Sequence, residues 1–208
     1  MLYRLLRIGF TLYLRLVHRL HISGSDLIPA SGPAILCANH SSYFDSMLVA
    51  LCTPRPVRFL ITERFYRHPV LGLVIQRCGA IPVTAEGDAR HALRRGLAVL
   101  AEGGVLGIFP EGRLTRTGAP GHAESGAALL AAASGAPLVP IAIRGAYDVY
   151  PKGKRLPGPG HIRVAVQEPL PVEPRRRDRA YLRAMTDELM RRIGYGLAAS
   201  DRSSGESR

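Results

Sequence analysis

The sequence predicts a single α/β domain, its mostly parallel or mixed sheet flanked by helices and preceded by an amphipathic membrane-surface helix. Three observations carry that prediction. At 208 residues the chain is long enough for one α/β core and short for two ordinary domains. Hydrophobic residues make up 47% of it, and no long polar low-complexity stretch interrupts them, so most of the chain has the means to fold. Short apolar runs alternate with segments of helical periodicity, the pattern of a sheet covered on both faces.

The first segment, "MLYRLLRIGFTLYLRLVHRLHI", residues 1–22, carries too many arginines to span a bilayer and has no small-residue cleavage signal. On a helical wheel Arg4, Arg7, Arg15, His18 and Arg19 share one arc with Thr11, and Leu2, Leu5, Leu6, Phe10, Leu12, Tyr13, Leu16, Val17 and Leu20 fill the rest. No acidic residue precedes Asp26. A wide apolar face with a purely basic border suits a helix lying on anionic lipid, with arginines meeting headgroups. A helix packed on its own domain with a solvated basic face is the other reading.

Residues 23–196 then read as the globular domain and 197–208 as a flexible tail, because "SDRSSGESR" is small and polar. Strands are predicted at Ala34 to Ala38, Val57 to Ile61, Ala80 to Val83, Val105 to Phe109, Leu138 to Ile143 and Ile162 to Val166. Helices are predicted from about Gly87 to Glu102, Ala123 to Ser134 and Arg177 to Ile193. "YPKGKRLPGPG" reads as the loop between the last two strands.

A formal net charge of +12 calls for an acidic partner such as nucleic acid, anionic membrane or acidic protein. Nucleic acid is disfavoured: aromatics are 6%, Trp is absent, and no basic helix interleaves aromatics for stacking. Three widely spaced cysteines, Cys37, Cys52 and Cys78, fit neither a disulfide framework nor a zinc knuckle and imply packing residues in a reducing, cytosol-facing setting.

The chemistry concentrates in "CANHSSYFDS", where His40 stands five residues before Asp45. On a continuous helix such residues point about 140° apart, but the pair can meet if His40 lies in a turn and Asp45 opens the next helix, so the spacing suggests a bent strand-to-helix junction. A carboxylate holding one imidazole nitrogen leaves the other free to take a proton; a purely structural pair is the alternative. In an α/β sheet, sites collect at the carboxyl ends of strands. "PEGRLTRTG" follows the strand "VLGIF", so parallel pairing brings Glu111 and Arg113 to the edge where His40 lies. No G-x-S-x-G elbow, Walker lysine or G-x-G-x-x-G at a strand end is present, and His68, His91, His122 and His161 are scattered. A base without a protein nucleophile, and without a metal, fits direct transfer to a substrate hydroxyl.

"NHSSYFD", "FPEG" and "VPIAI" resemble, in order and spacing, the N-H-x-x-x-x-D, F-P-E-G and V-P-I blocks of the glycerolipid acyltransferases. The likeness runs from about Pro33 to Pro171 and is nearest to the 1-acylglycerol-3-phosphate acyltransferases and related lysophospholipid acyltransferases. It implies an enzyme at the cytoplasmic face of a membrane, peripheral or monotopic, that moves a fatty acyl group from acyl-CoA or acyl carrier protein to the free hydroxyl of 1-acylglycerol-3-phosphate. Its partners would be anionic lipid, a lysophospholipid acceptor and the acyl donor as substrate, with no cofactor. Carried over, His40 is the general base, Asp45 orients it, and Glu111 and Gly112 shape the acceptor pocket. Two positions depart from the family pattern. Ala85 and Leu114 stand where arginines for the acceptor phosphate are usual, which makes Arg113 and Arg116 the nearest replacement cations and keeps acceptors with larger headgroups in view.

Overall fold

The computed structural model describes residues 2–69, 71–77, 79–83, 89–116, 118 and 121–202. Cys78, Ala85 and residues 203–208 lie outside the described residues. Seven strands form one sheet: β1 (His21–Ser23), β2 (Ala34–Ala38), β3 (Val57–Thr62), β4 (Ile81–Val83), β5 (Val105–Ile108), β6 (Leu138–Arg144) and β7 (Arg163–Val166), in the order β1-β7-β6-β2-β5-β3-β4. The central strands are parallel, as βαβ crossovers require, and only β7 runs antiparallel to β6. All six predicted strands are present within a residue or two of their predicted ends.

Each face of the sheet has its own apolar layer. In β2 every residue is buried: Ala34, Leu36 and Ala38 pack into one cluster, and Ile35 and Cys37 into the other. That is why β2 reads as an unbroken apolar run rather than an alternating one. Helices α1 (Leu2–His18), α2 (Asp45–Leu51) and α7 (Ala146–Val149) cover the first face, while α5 (Ala89–Ala101), α6 (Gly126–Ser134) and α8 (Arg179–Arg202) cover the second. The short α3 (Glu63–Tyr66) and α4 (Leu71–Arg77) pack on each other beside β3.

Three expectations are corrected. The N-terminal helix ends at His18: Arg19 takes a left-handed φ of 44°, and His21–Ser23 leave to pair with β7. The last helix continues to Arg202, nine residues past its predicted end, so the segment read as a tail begins helical. The largest correction is the orientation of α1. Leu14 and His18 are buried, Arg7 and Thr11 are half-buried, and this mixed edge docks on the domain. The Arg7 guanidinium donates to the carbonyls of Ala50, Leu51 and Thr53, satisfying the open end of α2. Ile8, Leu12, Leu16 and Val17 face outward instead. Arg7 and His18 therefore bind protein rather than headgroups, while Arg15 and Arg19 remain exposed.

Candidate active site

His40 leaves the carboxyl end of β2 and Asp45 opens α2, the turn-to-helix junction that a spacing of five demands. The imidazole Nδ1 lies 3.0 Å from Asp45 Oδ2. The same oxygen accepts the backbone N–H groups of Ser41 at 2.6 Å and Ser42 at 2.7 Å, so one carboxylate oxygen organises the whole 40–45 turn. Asp45 is fully buried, and its Oδ1 has no hydrogen-bond partner among the described residues. Burial pushes its carboxyl up, against the pull of the three donors. With Asp45 ionised, Nδ1 is the protonated nitrogen and Nε2 carries the lone pair. His40 retains 21% exposure of its side chain, enough for a substrate to reach it.

The ring plane is set by stacking. Phe109 lies parallel to His40 with centroids 3.9 Å apart, and Phe59 lies over Phe109 at 5.8 Å. Phe59 is the β3 partner of Gly107 on β5, and a Cβ at Gly107 would overlap the Phe59 ring. The missing side chain thus makes room for the aromatic pile that orients the imidazole.

Glu111 comes to the same edge because β2 and β5 are parallel. Its Oε1 accepts the His40 backbone N–H at 3.1 Å and its Oε2 the Gly121 N–H at 2.8 Å, clamping the His40 turn to the following loop. Gly112 completes the turn, its N–H returning to Phe109 O at 2.9 Å with φ 65°, a conformation other L-residues resist. The Thr115 N–H donates to His40 O at 2.8 Å, so a second segment of this loop also grips the histidine backbone.

Arg113 and Arg116 are exposed on that loop. Arg116 lines a cleft with Tyr147, Lys152 and Gly153, whereas Arg113 does not. The sequence assigns no role to the site's other residues, although Asn39 opens the N-H-x-x-x-x-D block. Asn39 bonds both backbone groups of Ile143 on β6, at 2.9 and 2.8 Å, continuing the sheet one residue past β2. Tyr150 O accepts from Ser42 Oγ at 2.9 Å and Tyr43 N–H at 3.2 Å, tying the loop after α7 to the His40 turn. The legible signals for Asn39 are its place in the "NHSSYFD" block and at the end of a wholly apolar strand. Cys37, three residues before His40, is buried in β2 with its thiol pushed far up by desolvation, and the Cys52 thiol is pushed up to about 12; both are packing residues.

This arrangement is a solvent-reachable imidazole backed by a buried carboxylate at the carboxyl edge of a parallel sheet, and known proteins share its frame. A chloroplastic 1-acyl-sn-glycerol-3-phosphate acyltransferase from Arabidopsis thaliana is 27% identical over 74% of this chain and 44% of its own length. A 1-acyl-sn-glycerol-3-phosphate acyltransferase from Bacillus subtilis is 27% identical over 83% of this chain and 85% of its own. The chain thus spans less than half of the plant relative and most of the bacterial one. The crystal structure of the 1-acyl-sn-glycerophosphate (LPA) acyltransferase PlsC from Thermotoga maritima superposes with a TM-score of 0.71 at 26% identity, covering 83% of this chain and 69% of that one. The family model described as Acyltransferase matches residues 19–144, which contain His40, Asp45, Glu111 and the strands that bring them together, and on that match the chain belongs to the acyltransferase family.

Proposed function

We propose that the protein transfers a fatty acyl group from a thioester, acyl-CoA or acyl-[acyl carrier protein], to the free hydroxyl of 1-acylglycerol-3-phosphate, making phosphatidic acid at a membrane surface. The observation that carries this reading is the His40 Nδ1–Asp45 Oδ2 hydrogen bond of 3.0 Å, which occupies Nδ1 and leaves Nε2 to take a proton on a side chain that is 21% exposed. In the reaction Nε2 takes the acceptor hydroxyl's proton as that oxygen attacks the thioester carbonyl carbon. The tetrahedral intermediate collapses with cleavage of the C–S bond, and the imidazolium returns the proton to the leaving thiolate. Asp45 stabilises the imidazolium and fixes its tautomer. No protein nucleophile is needed, because the thioester is already activated and both substrates are held together.

Glu111 and Gly112 shape the acceptor pocket through the backbone they hold, and Arg113 and Arg116 supply positive charge for the acceptor phosphate. The outward face of α1, with Ile8, Leu12, Leu16 and Val17, supplies the apolar contact with lipid, and Arg15 and Arg19 are the cations available to anionic headgroups. Among the described residues no helix is long and apolar enough to cross a membrane. Thioester consumption measured with a panel of lysophospholipids and both donor types tests the reading. Transfer to 1-acylglycerol-3-phosphate that disappears in His40→Ala, with vesicle binding kept, is the expected result. Near-normal turnover by that variant removes the mechanism, and preference for a larger headgroup reassigns the acceptor.

A further inference from the structure

We infer that the cleft between Arg116 and Lys152 is a subsite for a phosphate ester of one of the two substrates, with Lys152 as its second cation; the inference rests on the acyl-transfer reading above. An open cleft of about 390 Å³ lies between Arg116, Tyr147, Lys152 and Gly153. No carboxylate is among its described lining residues. Neither the Arg116 guanidinium nor the Lys152 ammonium has a hydrogen-bond or ion-pair partner among the described residues, so two cationic side chains line one cleft whose described lining includes no carboxylate.

Both walls are bound to the catalytic turn. On one side Arg116 follows Thr115, whose N–H donates to His40 O at 2.8 Å. On the other, Lys152 is two residues beyond Tyr150, whose carbonyl accepts from Ser42 Oγ at 2.9 Å and from the Tyr43 N–H at 3.2 Å. At roughly 3.5 Å per residue, each cation's backbone lies within about 7 Å of a residue hydrogen-bonded to the His40–Tyr43 segment. Tyr147 closes the cleft between them, its hydroxyl donating to Arg116 O at 2.7 Å. The Lys152 turn depends on Gly153 at φ 93°, a conformation that disfavours a side chain. A guanidinium and an ammonium lining one cleft suit a phosphate ester better than a neutral group. Two substrates bear one: the acceptor through its glycerol phosphate, the donor through its phosphopantetheine arm. The 19–144 family match ends before Lys152, so this wall of the site belongs to no matched block.

The test compares wild type with Lys152→Ala and Lys152→Arg in four pairings: acyl-CoA with lysophosphatidic acid, acyl-CoA with monoacylglycerol, and an acyl N-acetylcysteamine thioester with each acceptor. An acceptor-phosphate site is expected to show Lys152→Ala lowering kcat/KM at least about tenfold more for lysophosphatidic acid than for monoacylglycerol, the size of a lost charge-assisted contact. A donor-phosphate site shows the same ratio between acyl-CoA and the phosphate-free thioester. In either case Lys152→Arg recovers most of the loss. Equal effects on phosphate-bearing and phosphate-free substrates overturn the inference, as does a loss that tracks weaker sedimentation with anionic vesicles. Should wild type transfer nothing, the reaction assignment fails, and calorimetric titration of wild type and Lys152→Ala with glycerol 3-phosphate and with adenosine 3′,5′-bisphosphate then decides the cleft alone. Affinity for one of them that falls about tenfold or more in the variant upholds it; equal affinities overturn it.

Discussion

Arg7 and Asp45 hold opposite ends of one short helix: Asp45 is the first residue of α2, and the Arg7 guanidinium, reaching across from α1, donates to Ala50 O at 2.6 Å and Leu51 O at 3.1 Å where α2 ends. Just before Asp45, Phe44 packs against Phe10, Tyr13 and His18 of α1. The helix that carries the outward apolar face is therefore also the brace for the carboxylate behind His40.

Arg7→Ala is expected to destabilise the protein by about 1–3 kcal/mol, the cost of leaving partly buried carbonyls without a charged donor. Arg7→Lys recovers only part, because an ammonium cannot span several carbonyls as the planar fork does. Urea denaturation midpoints check both. A neutral Arg7→Ala would mean that α2 is closed without it.

Replacing Ile8, Leu12 and Leu16 together by Ser is expected to leave the fold intact and weaken sedimentation with anionic vesicles by about a hundredfold, taking about 1 kcal/mol for each partly inserted side chain. Deleting α1 outright is a poorer test, since it also removes buried Leu14 and His18. A triple variant that pellets like wild type at matched salt would assign lipid contact to another surface.

Gly107→Ala is expected to cost about 1–3 kcal/mol, the usual cost of overpacking, and to lower kcat. The new Cβ displaces Phe59, on which Phe109 and then His40 are stacked. Loss of stability with kcat preserved would show that the stack does not set the imidazole's plane.

Asp45→Asn separates stability from activity. Burial pushes the Asp45 carboxyl up, so the folded protein keeps that proton to higher pH than the unfolded chain does. The associated stability is fully present below the unfolded carboxyl's value and is lost as pH rises through the folded one. Asparagine mimics the protonated form. The variant is therefore expected to be at least as stable as wild type at about pH 7.5, with an advantage that shrinks as pH falls toward the ordinary carboxylate range. Acyl transfer meanwhile falls by about 10³–10⁴-fold, because the imidazolium loses its counter-charge. Equal stability differences at both ends of the pH range would place the carboxyl at its ordinary value.

The sequence by itself determined the features whose cause is local. A short unbroken apolar run at Ala34 to Ala38, just after Gly32 and Pro33, points to a strand buried on both faces, and β2 is one. A His and an Asp five apart cannot meet on one regular helix but can across a turn into a helix, and they do. Two loops following parallel strands share an edge, which places Glu111 beside His40. Tertiary structure decided whatever depends on partners distant in the chain. The wheel of α1 offered two docking faces, and the carbonyls of Ala50, Leu51 and Thr53 selected the edge bearing Arg7, turning Ile8, Leu12 and Leu16 outward. Glu111 came to serve as a clamp on two amides because Gly121 N–H lies opposite the His40 N–H. The stack on the imidazole required Phe59, Gly107 and Phe109 to arrive from two strands, and Lys152 reached the cleft only because the loop after α7 hangs its Tyr150 carbonyl on Ser42 and Tyr43. Spacing along the chain constrains neighbours within a turn or a strand, whereas contacts between segments are chosen by whichever buried polar groups must be satisfied once those segments pack.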